Sequence, residues 1–259
     1  MRIFGRPVLR LPCVNKGGAR SVVRLDCPAV VEKEMALPPD AVRALSYWSI
    51  RPGAIVTVVD SQGICFRARL VDSNKVVPFQ PLVSTCVPSK SLTLYQALPE
   101  KERFELILQK SVELGVQRIV PFVCSHSTTL AERDAGQRKS HRWPEVVLRA
   151  AKQCRRGDIP ELGPVMSFDQ VLEEVSMWDL NLMLYEGDAQ ARLHDAFTSK
   201  DISSASIIIG PEGGFARHEA QQASDAGILT VSLGPRILRT ETAAIAGAAL
   251  VQFMLGGLD

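Results

Sequence analysis

From residue 92 onward the sequence alternates short apolar runs with amphipathic stretches, and this alternation constrains the fold more than any other feature. The apolar runs are "LTLYQAL", "RIVPFVC", "LNLMLYEG", "SASIIIGPEGG" and "ILTVSLG". Apolar strands joined by helices are typical of a mostly parallel sheet that is covered on both faces. The pattern therefore predicts an α/β domain.

The amphipathic stretches predict helices with recognisable ends. In "PEKERFELILQKSVELG", Phe104, Ile107, Leu108 and Val112 share one helical face, and Gly115 is the expected stop. Further helices are expected at residues 140–154, 189–198 and 241–255, and in "RHEAQQASDAG", which Gly227 closes.

Residues 1–78 have a different pattern, that of short strands. The runs "GAIVTVVD" and "ICFRARLVDSN" predict a hairpin with Arg67 and Arg69 on one face, within a small β barrel or sandwich. This segment holds 12 Lys and Arg against 6 Asp and Glu, whereas residues 79–259 hold 18 against 22. A basic module favours a polyanionic partner, but a solvated basic face explains the charge equally well.

A second basic cluster runs from Arg133 to Arg156, with Trp143 between the cations. A loop and a helix face in water would explain it. Because a basic module lies on the same chain, the cluster modestly favours a second contact with a nucleic-acid backbone.

The remaining composition points to a globular protein without metal. Hydrophobic residues make up 46% of the chain and charged residues 22%, as in ordinary globular domains. The six cysteines lack metal-ligand spacing, and so do His126, His141, His194 and His218. With no secretory h-region and no run of about 18 apolar residues, we expect no signal peptide, no membrane span and a reduced cytosolic compartment.

Three consecutive predicted strands end in polar or glycine-rich loops, namely "LMLYEGDA", "IIIGPEGGF" and "VSLGPRILRTET". Ligands of α/β sheets bind where loops leave the carboxyl ends of strands, and glycine lets the backbone approach them. The dinucleotide and P-loop motifs are missing from the sequence. Since Glu212 disfavours a polyphosphate, we expect a ligand with a positive centre or donor groups.

These loops, together with "LILQKSVELGVQRIVPF" and "RAAKQC", resemble the RsmE family within the SPOUT superfamily. The resemblance implies an enzyme that methylates N-3 of a uridine near the decoding site of 16S ribosomal RNA, with S-adenosylmethionine as donor. It implies a small N-terminal PUA-like β-barrel at residues 1–78, and a SPOUT α/β domain with a C-terminal trefoil knot at residues 79–259. It also implies a cytoplasmic homodimer that acts on naked 16S RNA or on the assembled small subunit.

The resemblance also assigns site residues. The cofactor pocket is expected to involve Leu184, Glu186, Gly210, Pro211, Gly213, Gly214, Leu233, Gly234, Ile237, Leu238 and Thr242. RNA contacts are expected from Arg43, Arg51, Arg67, Arg69, Arg142, Arg149, Lys152, Arg155, Arg156 and Arg236. One departure from the family is Ala216, a poor N-cap that costs about 1 kcal/mol of local stability.

The chemistry of uracil suggests three catalytic candidates. N-3 carries an imide proton and is a poor nucleophile until that proton leaves, so the site needs a proton acceptor and a cation. Arg239 can donate a planar fork to a carbonyl oxygen. Our hypothesis is that Arg239 stabilises the developing charge, with Glu241 or Glu212 as base or orienter. Alternatively, Glu241 only favours the positive N-terminus of the last helix and pairs with Arg239.

Other functions stay open at this point. The chain could be a non-catalytic RNA-binding protein that retains the fold, or a SPOUT methyltransferase that acts on a different RNA. The intact "GPRILRTET" loop argues against a pure binder. A nucleotide-binding enzyme of another chemistry is disfavoured by the missing phosphate motifs.

Overall fold

The computed structural model of the chain describes residues 22–47, 50–82, 90–128, 142–154, 156, 159–197 and 202–258. These residues fall into two compact units. The first contains the described residues up to 82 together with Ala151–Ile159, and the second contains the described residues of the rest of the chain.

The first unit is built on a five-stranded sheet with the order β1-β3-β4-β5-β2. Only the β1–β3 pair is parallel among these described strands. The elements are β1 (Val22–Arg24), β2 (Met35–Ala36), α1 (Pro39–Tyr47), β3 (Ile55–Val59), β4 (Cys65–Leu70) and β5 (Lys75–Leu82).

The predicted hairpin is confirmed as the antiparallel pair β3–β4. Phe66, Ala68 and Leu70 alternate into the core, which leaves Arg67 and Arg69 together on the opposite face. Two features differ from the expectation. Helix α1 was not predicted, although Ala41 and Leu45 lie one helical turn apart and are both buried. Residue 78, the expected domain boundary, lies inside β5.

The second unit is built on an eight-stranded sheet with the order β11-β13-β10-β12-β6-β7-β8, and β9 pairs with β7. Every described pair is parallel, which confirms the predicted sheet type. The strands are β6 (Ser91–Ala97), β7 (Arg118–Val123), β8 (Glu161–Leu162), β9 (Met166–Ser167), β10 (Leu180–Leu184), β11 (Ala191–Arg192), β12 (Ser204–Ile209) and β13 (Leu229–Ser232).

Five further helices follow in chain order. They are α2 (Lys101–Glu113), α3 (Trp143–Cys154), α4 (Phe168–Glu174), α5 (Arg217–Asp225) and α6 (Thr240–Met254). The apolar face predicted for α2 is completely buried, and Gly115 follows the helix with a φ of +86°. The helix predicted at 189–198 is wrong in its first half, because Ala191 and Arg192 pair with β13 as β11, and only Leu193–Phe197 forms a 3₁₀ helix.

Helix α6 lies directly against the strands that carry the site. A Cβ atom at Gly247 would come within 2.6 Å of Ile207 Cδ1 and 3.0 Å of Leu184 Cδ1. Contacts this short are closer than van der Waals packing allows, so a larger residue would push the helix off β10 and β12. The small residues of α6 therefore let it sit close to the sheet.

Candidate active site

Three loops meet at one edge of the second sheet. We define loop 1 as residues 185–187, loop 2 as residues 210–216 and loop 3 as residues 233–239. They follow β10, β12 and β13, and β10 lies between the other two strands, parallel to both. Because the carboxyl ends of parallel strands lie at the same edge, the predicted gathering of these loops is confirmed.

Loops 1 and 3 enclose a cleft. Its wall combines apolar side chains with one acidic residue, Glu186, and one basic residue, Arg236. The complete wall is formed by Leu184, Tyr185, Glu186, Val231, Ser232, Leu233, Gly234, Arg236, Leu238 and Ala243. Five of these residues were predicted for the cofactor. The sequence reasoning missed Tyr185, Val231, Ser232 and Ala243, although each lies next to a strand end or loop that it had selected.

The wall of the cleft suits a ligand with apolar parts and a positive centre. Leu184, Leu233 and Leu238 offer apolar surface, and Glu186 offers a carboxylate. Gly234 has a φ of +110°, and a Cβ atom built on it would meet no atom within 4 Å. The backbone at Gly234 therefore faces open space, where a ligand can approach it closely.

Six predicted cofactor residues do not line this cleft. Four of them shape loop 2, and two lie elsewhere; they are Gly210, Pro211, Gly213, Gly214, Ile237 and Thr242. Ile237 is 83% exposed, and Thr242 is also exposed. Gly214 has a φ of +67°, and a Cβ atom there would lie 1.9 Å from Glu186 Oε1. Loop 2 thus supports the acid of the cleft rather than forming its wall.

Loop 2 is tied to the start of α6 by a buried polar junction. The Gly210 carbonyl accepts hydrogen bonds from Thr240 Oγ1 at 2.5 Å and from Gln96 Nε2 at 3.3 Å. Gln96 Nε2 also donates to Thr240 Oγ1 at 3.1 Å, and the Gln96 side chain is fully buried. One amide on β6 therefore joins loop 2 to the helix that follows loop 3.

The outer side of loop 2 is held by α2 and by the segment after β7. Glu212 accepts hydrogen bonds from Arg103 Nη1 at 2.7 Å and from the backbone N–H of Glu100 at 2.9 Å. His126 Nδ1 donates to the carbonyl of Gly213 at 3.0 Å. Since Glu212 already accepts two hydrogen bonds, its carboxylate acts first as an anchor of the loop.

The two remaining catalytic candidates lie at the beginning of α6. Arg239 is the N-cap residue and is exposed, and Glu241 lies in the first helical turn. Glu241 Oε2 is buried and has no hydrogen-bond partner among the described residues. Within that same part of the chain, Arg239 and Glu241 form no ion pair, so the alternative that they simply pair is not supported.

The expected RNA contacts are distributed over both units. Arg51, Arg69, Arg142 and Arg236 are exposed, while Arg67 and Arg156 are partly buried. Arg43 forms an ion pair with Asp40 at 3.4 Å, and Arg149 forms one with Glu145. The Lys152 side chain and Arg155 lie outside the described residues.

Trp143 does not belong to an exposed nucleic-acid surface. Its side chain is 6% exposed and packs edge-to-face on Phe104, with 4.6 Å between the ring centroids. The suggestion that this aromatic residue is interleaved with the basic cluster is therefore corrected, because a buried ring cannot stack on a base.

Helix α5 begins without a capping side chain at Ala216, as the sequence predicted. The Glu219 carboxylate compensates in part, because Oε2 accepts from the Ala216 N–H at 2.8 Å. Glu219 Oε1 accepts from the N–H of Ser125 at 2.8 Å, so the same acid also holds the segment after β7.

Other kinds of site are not seen in the described parts of the chain. No three His, Cys, Asp or Glu side chains there are grouped so that they could hold a metal ion. No described helix has the length and apolar character needed to cross a membrane. Burial raises the pKa of the Cys124 thiol to about 11, so this thiol is a poor nucleophile near neutral pH.

Residues 87–252 match the model of a family described as the RNA methyltransferase domain. The chain belongs to this family. It is 32% identical over 161 residues to the ribosomal RNA small subunit methyltransferase E of Bacillus subtilis, an alignment that spans 60% of this chain and 63% of that protein. The Mycobacterium bovis protein of the same name is 35% identical over 200 residues, 74% of this chain and 71% of the relative.

A solved structure supports the same family assignment. The ribosomal RNA small subunit methyltransferase E of Neisseria gonorrhoeae, bound to S-adenosylmethionine, is 29% identical. It superimposes with a TM-score of 0.67 over 90% of this chain and 97% of that one. The resemblance to the RsmE family predicted from the sequence is confirmed.

Proposed function

We propose that this chain methylates N-3 of a uridine in the 16S ribosomal RNA of the small subunit, with S-adenosylmethionine as methyl donor. The observation that carries the proposal is the cleft between loops 1 and 3, which has Arg239 and Glu241 at the start of the adjoining helix. The relatives are named for small-subunit ribosomal RNA methylation, and the Neisseria gonorrhoeae structure has S-adenosylmethionine bound.

The cleft residues fit this cofactor. When bound, S-adenosylmethionine supplies an electrophilic methyl group on a positively charged sulfonium. Leu184, Leu233 and Leu238 would contact its apolar surface, and the Glu186 carboxylate favours its positive charge. Backbone groups at Gly234 would approach it most closely, because no side chain stands there.

The residues outside the wall keep a supporting role in this proposal. Gly210, Pro211, Gly213 and Gly214 set the shape of loop 2, which carries Glu212 and borders Glu186. Ile237 and Thr242 belong to loop 3 and the start of α6, and we assign them no contact with the cofactor because neither lines the cleft.

The structure leads us to divide the catalytic roles as follows. Glu241 accepts the imide proton from N-3, because it lies two residues after Arg239 in the first turn of α6, and its side chain would turn toward the base for the transfer. Arg239 donates from its guanidinium to a uracil carbonyl oxygen, where negative charge develops as the proton leaves. Glu212 orients loop 2 and does not move a proton.

We propose that the first unit is a PUA-like RNA-binding domain that extends through β5, and that the second unit is a SPOUT domain. Exposed arginines on the first unit, Arg51 and Arg69, support contact with RNA phosphates, together with the half-buried Arg67. Arg142, just before α3, and Arg149 on α3 would form the second contact.

We also propose the finer features of the fold family. A trefoil knot is supported by the strand order, because the chain passes from β12 to β13 beyond β10 and then returns through α6 onto β12 and β6. A homodimer is supported by Leu250 and Phe253 on α6, which are 45% and 60% exposed beside an open groove. Since its substrate is ribosomal RNA, we place the protein in the cytoplasm.

Two measurements test the function. Calorimetry should detect binding of S-adenosylmethionine. Mass mapping of 16S RNA should show that one uridine loses its methyl group in a strain that lacks the gene, and regains it when the gene is restored. RNA binding without cofactor binding would instead support the non-catalytic alternative. Restored methylation of another RNA would support a different substrate.

The site assignment needs single variants assayed with cofactor affinity measured separately. Arg239→Ala and Glu241→Ala should each lower turnover by about 10²-fold or more, while cofactor affinity changes little. Arg217→Ala is a matched control, since Arg217 is an exposed cation at the start of α5. Near-normal turnover of both site variants would overturn the assignment.

A further inference from the structure

Arg103 on α2 lies beside two carboxylates of the second unit, one in loop 2 and one just before α2. Its Nη1 donates to Glu212 Oε1 at 2.7 Å, and its Nη2 lies 3.8 Å from Glu100 Oε2. The pKa of Arg103 is raised, first by the hydrogen bond to Glu212 and then also by the charges of Glu212, Glu100 and Glu241. The guanidinium therefore binds Glu212 directly, and its helix α2 packs against α6, the helix that carries Glu241.

These two acids meet Arg103 in different ways. Glu212 is held by a direct hydrogen bond, and its side chain is 29% exposed. Glu241 experiences the charge of Arg103, yet its buried Oε2 accepts no hydrogen bond within the described part of the chain. Among the described residues, Arg103 thus hydrogen-bonds to Glu212 and not to Glu241.

Arg239, the exposed cation at the start of α6, has a different role from Arg103. Arg239 is solvent-exposed and forms no ion pair with the described residues. It is therefore available to a substrate, whereas Arg103 is engaged with the protein. Two arginines of the same charge thus have different surroundings, and only Arg239 can turn to the base.

We propose that Arg103 is a positioning residue of the methyl transfer, which clamps Glu212 and so holds loop 2 against α2, the helix that packs on α6. This inference rests on the proposed function. It assigns a role to α2, a helix outside the three loops that the sequence selected.

The test uses the full chain and small ribosomal subunits from a strain that lacks the gene. Arg103→Gln removes the positive charge and the paired N–H donors of the guanidinium, whereas Arg103→Lys keeps the charge. Lys110→Gln is the control. Lys110 is a cation on the same helix and, among the described residues, forms an ion pair with its neighbour Glu113 at 2.9 Å. For each variant, kcat, the KM for subunits and the Kd for S-adenosylmethionine are measured.

For Arg103→Gln we expect kcat to fall about tenfold or more, with KM and cofactor Kd within about twofold of wild type. Arg103→Lys should recover part of the kcat, and Lys110→Gln should leave it unchanged. If Arg103 only maintained the fold, KM and cofactor Kd would worsen together with kcat, and lysine would give no selective recovery. That result, or an unchanged kcat in Arg103→Gln, overturns the proposal.

A double-mutant cycle tests the link between Arg103 and Glu212. Residues that act as one unit show strongly non-additive effects. Glu212→Gln should therefore cost much less in the Arg103→Gln background than in the wild type, whereas losses that simply multiply would contradict the link. A wild-type chain that binds the cofactor but methylates no RNA would instead refute the proposed function, which keeps the two failures distinguishable.

Discussion

Replacing Thr240 by valine removes one hydroxyl group from the junction behind the active site and keeps the shape of the side chain. The hydroxyl donates to the Gly210 carbonyl at 2.5 Å and accepts from Gln96 Nε2 at 3.1 Å, and Thr240 is 4% exposed. One intramolecular hydrogen bond contributes about 0.5–1.5 kcal/mol, so two of them predict a loss of about 1–3 kcal/mol in the free energy of unfolding.

Urea denaturation followed by tryptophan fluorescence measures this loss, since Trp143 and Trp178 both lie in the second unit. Thr242→Val is the matched control: it makes the same substitution in the same helical turn, but at an exposed side chain. We expect the control to change the free energy of unfolding by less than about 0.5 kcal/mol. Equal losses in both variants, or a loss below about 0.5 kcal/mol in Thr240→Val, would refute the reasoning.

Three other variants test separate parts of the structure. Gly214→Ala should destabilise the chain and weaken cofactor binding, because φ is +67° and the new Cβ would meet Glu186 Oε1 at 1.9 Å; unchanged thermal unfolding and calorimetry would contradict this. Asp179→Asn should reduce the dependence of the free energy of unfolding on pH between pH 3.8 and about 2. Hydrogen bonds, chiefly from the Ser203 hydroxyl, lower the pKa of Asp179 from 3.8 to about 2, so the stability it contributes is present above that range and lost as pH falls through it. A wild-type slope in the variant would argue against this contribution. Arg69→Gln should weaken RNA binding and reduce the slope of log affinity against log salt by about one, whereas an unchanged slope would remove this residue from the interface.

Local patterns explain which parts of the fold the sequence could predict. The five longer strands of the second sheet and the buried face of α2 follow from periodicity, which is a property of neighbouring residues. Among the described side chains of helix α1, Ala41 and Leu45 are the buried apolar markers, in a segment otherwise rich in strand signals. The two-residue strand β11 exists because β13 lies beside it, and no local pattern marks such an edge.

The candidate site divides in the same way. The loops themselves were predicted, because glycine and polar residues after apolar strands are visible in sequence. Their anchors were not, because Gln96 meets Thr240 across 144 positions and His126 meets Gly213 across 87. Polar side chains such as Arg103 carry no signal of a partner that distant in the chain, so the roles of Glu212 and Glu241 could be separated only in three dimensions.

The junction at Gly210 also determines when the cofactor cleft can form during synthesis of the chain. A ribosome makes the chain from its amino end, so Gln96 and loop 2 emerge well before Thr240. Until Thr240 and α6 have been synthesised, the Gly210 carbonyl lacks its closest donor and loop 3 has no helix to hold it. A nascent chain therefore cannot close the cofactor cleft, and methylation begins only once translation has passed the last helix.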